Sequence, residues 1–121
     1  MNARILIVDD EEIVIKSCLR ILGGGDYHVE AAHDGLEALR KVEENPYDVI
    51  ILDVMMPNMG GLEVLRRVKE RHPDVDVIML TGLSQAETVV QARKLGARDF
   101  ISKPFEPDDL KQVVQRALER R

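Results

Sequence analysis

Short, continuous runs of apolar residues alternate along the chain with longer segments in which apolar positions recur every three or four residues. Three runs, at residues 5–8, 49–52 and 77–80, are rich in β-branched side chains. Such runs are typical of strands that are buried on both faces of a parallel sheet. Two further runs, at 27–32 and 99–102, mix apolar and polar residues. Mixed polarity favours edge strands, because an edge strand is covered less completely.

The segments between these runs have helical periodicity and recognisable ends. Asp34 followed by Glu37 matches a helix N-cap with its capping-box partner, and Ser84 followed by Glu87 repeats that pattern. Gly96 stands where the fourth helix should end, since glycine is the residue most often found just beyond a helix C-terminus. The sequence therefore predicts five strands, each followed by a helix.

This alternation predicts an α/β fold: a (βα)5 three-layer sandwich with a parallel five-stranded sheet between two layers of helices. We expect residues 1–121 to form one domain. The first, third and fourth strands are the apolar ones and should be central, with the second and fifth at the edges. The strand order is then 2-1-3-4-5, the flavodoxin-like doubly wound topology.

Composition narrows the class of protein. The chain has 121 residues, of which 45% are hydrophobic and 32% charged, as in an ordinary soluble domain. A net charge of −5 argues against direct binding to nucleic acid or to an anionic membrane. No apolar run is long enough to span a membrane, and the first residues lack the layout of a signal peptide. The single cysteine, Cys18, fits a reducing compartment, so we expect a cytoplasmic protein.

Polar residues with complementary chemistry follow four of the predicted strands. Asp9 and Asp10 follow the first, Asp53 the third, Thr81 the fourth and Lys103 the fifth. In a parallel sheet these positions meet at the carboxyl edge. Three clustered carboxylates repel one another and call for a cation, and oxygen ligands favour Mg²⁺, with Mn²⁺ as the alternative. A lysine and a threonine beside a carboxylate nucleophile suit phosphoryl transfer to that carboxylate.

These residues, with their neighbours, resemble the receiver domain of bacterial two-component response regulators over essentially the whole chain. The resemblance rests on three motifs, each at the end of a predicted strand. They are Asp9-Asp10, the segment from Asp53 to Gly61, and Lys103-Pro104-Phe105.

The resemblance implies a role for each residue around the metal. Asp53 would be the phosphoacceptor. Asp10 would bind Mg²⁺ directly, Asp9 mainly through water, and the main-chain carbonyl of Met55 would complete the protein ligands together with Asp53. The side chains of Met55 and Leu83 would flank the path of the attacking water and slow the hydrolysis of the acyl phosphate.

The resemblance also implies how the phosphoryl group would be sensed. Thr81 would hydrogen-bond a phosphoryl oxygen and Lys103 would pair with the phosphoryl group. Phe100 would be the switch aromatic residue, which turns inward when Thr81 moves. The Lys103–Pro104 peptide bond is expected to be cis.

The implied function is a signalling switch. A histidine kinase or phosphotransfer protein would phosphorylate Asp53, and the domain would catalyse its own phosphorylation and dephosphorylation without turning over an external substrate. The face formed by the fourth helix, fifth strand and fifth helix would then control an output domain or downstream protein, and phosphorylation could drive homodimerisation. The chain would be either a stand-alone receiver or the N-terminal part of a longer regulator.

Two alternatives remain open. The domain could be an interaction module that acts without phosphorylation, or a small phosphatase with an aspartyl nucleophile. The phosphatase would want a second acid two residues after Asp53, where Met55 stands.

Overall fold

Five strands and five helices alternate along the chain in the computed structural model, which describes residues 2–82 and 86–119. None of the helices within these ranges is long and apolar enough to span a membrane. The elements are β1 (Ala3–Val8), α1 (Glu12–Leu22), β2 (Tyr27–Ala32), α2 (Gly35–Glu44), β3 (Val49–Asp53), α3 (Gly61–Arg71), β4 (Asp76–Thr81), α4 (Ala86–Lys94), β5 (Asp99–Ser102) and α5 (Pro107–Glu119).

The strands form one parallel sheet in the order β2-β1-β3-β4-β5. This order confirms the prediction that the two strands of mixed polarity lie at the edges. The register brings the ends of β1, β3, β4 and β5 close to one level, with Val8 beside Leu52 and Thr81 beside Ser102. Residues that follow these strands are therefore neighbours in space although they are far apart in sequence.

The buried side chains form two clusters, one on each face of the sheet. On one face, Leu6 and Leu52 pack with side chains from α2, α3 and α4. On the other, Ile5 and Ile51 pack with α1 and α5. Because successive residues of a strand point to opposite faces, a run that is apolar at every position supplies both clusters. The three-layer sandwich is thus a direct consequence of the continuous apolar runs.

Local sequence determines where two of the helices begin or end. The carboxylate of Asp34 accepts a hydrogen bond from the backbone N–H of Glu37 at 2.8 Å and caps α2. The Glu37 carboxylate accepts from the N–H of His33 at 2.6 Å, one residue before the N-cap, whereas a capping box would return to the N-cap residue itself. Gly96 ends α4 with a φ of +105°, which only glycine adopts readily. The predicted cap Ser84 lies outside the described residues.

Removing the Asp34 cap should weaken the domain measurably. We expect Asp34→Ala to lower the free energy of unfolding by about 1 kcal/mol, because the Glu37 N–H loses its acceptor. Asp34→Ser keeps a capping oxygen and should lose much less. Urea unfolding of both variants tests this; equal midpoints for the two would contradict it.

Candidate functional site

The candidate site lies at the carboxyl edge of the central strands. Asp9 follows β1, Asp53 is the last residue of β3, Thr81 is the last residue of β4, and Lys103 follows β5. The backbone N–H of Lys103 donates to the Thr81 carbonyl at 2.8 Å, which extends the pairing of the two strands by one step. The structure thus brings together the residues that the sequence placed at strand ends.

Lys103 is the centre of this cluster. Its Nζ lies 2.8 Å from Oδ2 of Asp9, 3.1 Å from Oδ1 of Asp53 and 3.4 Å from Oε1 of Glu11. Asp9 is 0% exposed and Asp53 5% exposed, so two of these carboxylates have almost no contact with solvent. A single ammonium group is therefore shared by three acids.

Burial and charge both perturb the pKa of Asp53. Burial raises it most, and the neighbouring Asp9 carboxylate raises it further. Lys103 and the backbone N–H of Met55, which hydrogen-bonds the carboxylate, lower it in part, and the pKa reaches about 6. For Lys103, burial lowers the pKa, but the attraction of Asp9 and Asp53 more than offsets this and raises it. The folded structure therefore favours the charged form of Lys103 and disfavours the ionised form of Asp53.

The three acids fit a hard divalent cation. Asp9, Asp10 and Asp53 each offer a carboxylate oxygen, and these oxygens lie within 4.8 Å of one another. The buried Oδ2 of Asp9, although close to Lys103, accepts no hydrogen bond of regular geometry among the described residues. A cation bound through oxygen would satisfy that atom, and an all-oxygen donor set with one exposed member suits Mg²⁺.

The backbone after Asp53 is held by the start of α3. The N–H of Gly61 donates to the Val54 carbonyl at 2.9 Å, which closes the loop between them. A Cβ at Gly61 would lie 2.2 Å from the Asp53 carbonyl oxygen, so only glycine permits this approach. The loop also turns through Asn58, whose φ is +69°.

The remaining expected residues lie on β4, β5 and the segment after β5. Thr81 is buried, and Phe100 is half-buried against the cluster that includes α2, α3 and α4, with the Arg93 guanidinium 5.0 Å from its ring centroid. The Lys103–Pro104 peptide bond is cis. Leu83, expected beside the path of water, lies outside the described residues.

Sequence reasoning gave no role to Glu11, which the structure places against Lys103. Glu11 occupies the N-cap position of α1, but its side chain makes no capping hydrogen bond and its carboxylate faces the ammonium. Its backbone N–H donates to Oδ1 of Asp9 at 2.9 Å, so the same residue also orients a buried acid. A third acid directly after Asp9-Asp10 was the signal that could have revealed it.

Comparisons with known proteins identify the family of the chain. The family model described as the response regulator receiver domain matches residues 5–115. The response regulator MprA of Mycobacterium tuberculosis is 40% identical over 121 residues, which cover 100% of this chain and 52% of that protein. The chemotaxis protein CheY of Listeria monocytogenes is 39% identical over 115 residues, which cover 94% of this chain and 97% of that protein. The chain thus spans about half the length of MprA.

Solved structures show the same fold. A CheY-like receiver domain protein from Methanospirillum hungatei matches with a TM-score of 0.95 and 33% identity, covering 99% of this chain and 96% of that chain. NtrX from Brucella abortus matches with a TM-score of 0.94 and 36% identity, covering 99% of this chain and 27% of that chain. Because the family model matches residues 5–115, which is most of the chain, the chain belongs to the response regulator receiver domain family.

Proposed function

We propose that this domain is switched by phosphorylation of Asp53, with a histidine kinase or a phosphotransfer protein as the donor. Receiver domains are signalling domains of two-component systems. The observation that carries the proposal for this chain is the buried carboxylate of Asp53, held 3.1 Å from the ammonium of Lys103 in a cluster that has more negative than positive charge.

The chain's own residues suit phosphoryl transfer. An Asp53 carboxylate oxygen attacks the phosphorus of the donor, the bond from phosphorus to the leaving group breaks, and the leaving group takes that electron pair. The Lys103 ammonium moves from the acids to the incoming phosphoryl oxygens, and the Thr81 hydroxyl donates a hydrogen bond to one of them. A Mg²⁺ ion, for which Mn²⁺ could substitute, would supply further charge neutralisation when held by Asp9, Asp10, Asp53 and the Met55 carbonyl.

The same proposal includes an output surface. Movement of Thr81 towards the phosphoryl group leaves space into which the half-buried Phe100 ring turns, and the face formed by α4, β5 and α5 changes. Among the described residues of α4 only Ala92 is fully buried, which supports a helix that moves at low cost. An output domain, a downstream protein or a second copy of the chain would bind this face.

We place this switch in the cytoplasm, in keeping with a single free, buried cysteine, Cys18.

The alternatives are less well supported. An interaction module that acts without phosphorylation has no need of Lys103 between two buried carboxylates. A phosphatase that turns over external esters would want a second acid two residues after Asp53 to protonate the leaving group, and that position holds the exposed Met55.

Phosphorylation can be tested by intact-mass measurement. After incubation with Mg²⁺ and a small phosphodonor such as acetyl phosphate, we expect the chain to gain the mass of one phosphoryl group and Asp53→Asn to gain none. Asp26→Asn, an exposed site at the opposite end of the sheet, is the matched control and should gain one. Absence of a gain in the wild type, or an equal gain in Asp53→Asn, would refute the proposal. Continuous release of phosphate from external esters would support the phosphatase instead.

A further inference from the structure

The third acid on Lys103 differs from the other two in its exposure. Glu11 lies 3.4 Å from the ammonium, and its side chain is 59% exposed, whereas Asp9 is 0% exposed. Glu11 therefore covers the solvent side of Lys103, and Asp9 and Asp53 cover the inner side. A phosphoryl donor that comes to Lys103 from solvent would therefore be exposed to the negative charge of Glu11 as well as to the ammonium.

We propose that Glu11 is a specificity-determining residue that selects phosphoryl donors by their charge. The inference rests on the proposed phosphorylation of Asp53. The Glu11 carboxylate offsets the positive charge of Lys103 on the side that faces solvent. It therefore lowers the rate of phosphorylation by small donors in solution, and the decrease grows with the negative charge of the donor.

Two small donors separate this effect from the chemistry of transfer. With acetyl phosphate, the Asp53 carboxylate attacks phosphorus, the bond between phosphorus and the bridging oxygen breaks, and acetate leaves. With phosphoramidate, the bond between phosphorus and nitrogen breaks and ammonia leaves. Both reactions give the same acyl phosphate, but at neutral pH acetyl phosphate carries two negative charges and phosphoramidate one. An electrostatic effect of Glu11 should therefore be larger for acetyl phosphate than for phosphoramidate.

The next residue in the chain offers a matched control. Glu12 is 58% exposed, so its environment is close to that of Glu11, but its carboxylate faces the His33 ring at 3.1 Å and makes no contact with Lys103. Glu11→Gln and Glu12→Gln therefore remove the same charge from neighbouring positions at the start of α1. Any effect of net charge alone would be common to both.

We expect Glu11→Gln to increase the rate of phosphorylation by acetyl phosphate more than the rate with phosphoramidate. A unit charge about 7 Å from the donor in water corresponds to an increase of about sevenfold for the doubly charged donor and about threefold for the singly charged one. Added salt should reduce both increases through screening. Glu12→Gln should change either rate by less than about twofold, because its carboxylate faces the His33 ring and not Lys103.

The measurement follows intact mass over time at saturating Mg²⁺, with the Mg²⁺ affinity of each variant obtained from thermal stabilisation. Equal changes with both donors, a slower reaction in Glu11→Gln, or the same change in Glu12→Gln would overturn the inference. The measured affinities establish that each variant is saturated, so a difference in Mg²⁺ binding does not enter the rates. Failure of the wild type to react with either donor would instead refute phosphorylation of Asp53, so the two failures are distinguishable.

Discussion

Replacing Asp53 with asparagine is expected to stabilise the metal-free domain at neutral pH by about 1–3 kcal/mol. The pKa of Asp53 is raised to about 6, chiefly by burial and then by Asp9, so the fold favours its neutral form. One unit of pKa corresponds to about 1.4 kcal/mol, and part of the gain is lost because asparagine pairs less well with Lys103. An isosteric neutral side chain removes the cost of a buried charge, which is the opposite of the usual loss on mutation.

The pH dependence follows from the direction of the shift. Because the folded pKa of Asp53 lies above its unfolded value, the folded state binds more protons between about 4 and 6, and this residue makes stability fall as pH rises through that window. Below the unfolded pKa the carboxyl group is protonated in both states, so the gain from Asp53→Asn should shrink towards zero. Above the folded pKa the gain should be complete and constant.

Urea unfolding with and without Mg²⁺ measures both effects. In EDTA at neutral pH the variant should be more stable than the wild type, and Mg²⁺ should then stabilise the wild type much more than the variant, since the ion binds only the folded acidic cluster. Asp26→Asn should have neither effect. A variant less stable than the wild type in EDTA would show that the charge on Asp53 does not destabilise the fold. Equal stabilisation of the two proteins by Mg²⁺ would show that Asp53 does not hold the ion.

Much of the fold follows from the polarity of the strands. The continuous apolar runs of β1, β3 and β4 indicated central positions, and this polarity alone gave the order of the sheet. The start of β1 does not follow from the pattern, because the apolar run begins at Ile5 whereas the strand begins at Ala3. Arg4 is polar but still belongs to the strand, since its guanidinium pairs with Glu30 at 2.8 Å and lies 5.4 Å from the Tyr47 ring centroid.

The candidate site could be placed from sequence because strand ends set the position of the backbone. Asp9, Asp53 and Lys103 were expected at one edge, and they are in contact there. The third acid after Asp9-Asp10 marks Glu11 as a candidate, but the direction of a side chain at a helix N-cap is not set by periodicity, so its contact with Lys103 is visible only in the structure. The close approach of α3 to the end of β3 was equally hidden, because spacing along a chain does not give distances between elements.

That close approach places a strict limit on the residue at position 61. A Cβ at Gly61 would lie 2.2 Å from the carbonyl oxygen of Asp53 and 2.8 Å from the Cα of Val54. Both are backbone atoms that end the buried strand β3, so neither can turn away as a side chain would. The start of α3 would have to move away from the strand, and the hydrogen bond from the Gly61 N–H to the Val54 carbonyl would be stretched.

We therefore expect Gly61→Ala to lower the free energy of unfolding by about 3 kcal/mol, at the upper end of what overpacking costs. It should also weaken Mg²⁺ binding, because the displaced backbone carries Asp53 and Met55. Gly60→Ala is the matched control: its Cβ would meet nothing nearer than the Val54 carbonyl oxygen at 3.7 Å. That variant should lose about 1 kcal/mol or less, the effect of a poorer N-cap. Urea unfolding and Mg²⁺ titration of the two variants distinguish a steric clash at position 61 from a general loss of helix stability. Equal losses of stability and of Mg²⁺ affinity in the two variants would contradict the steric explanation.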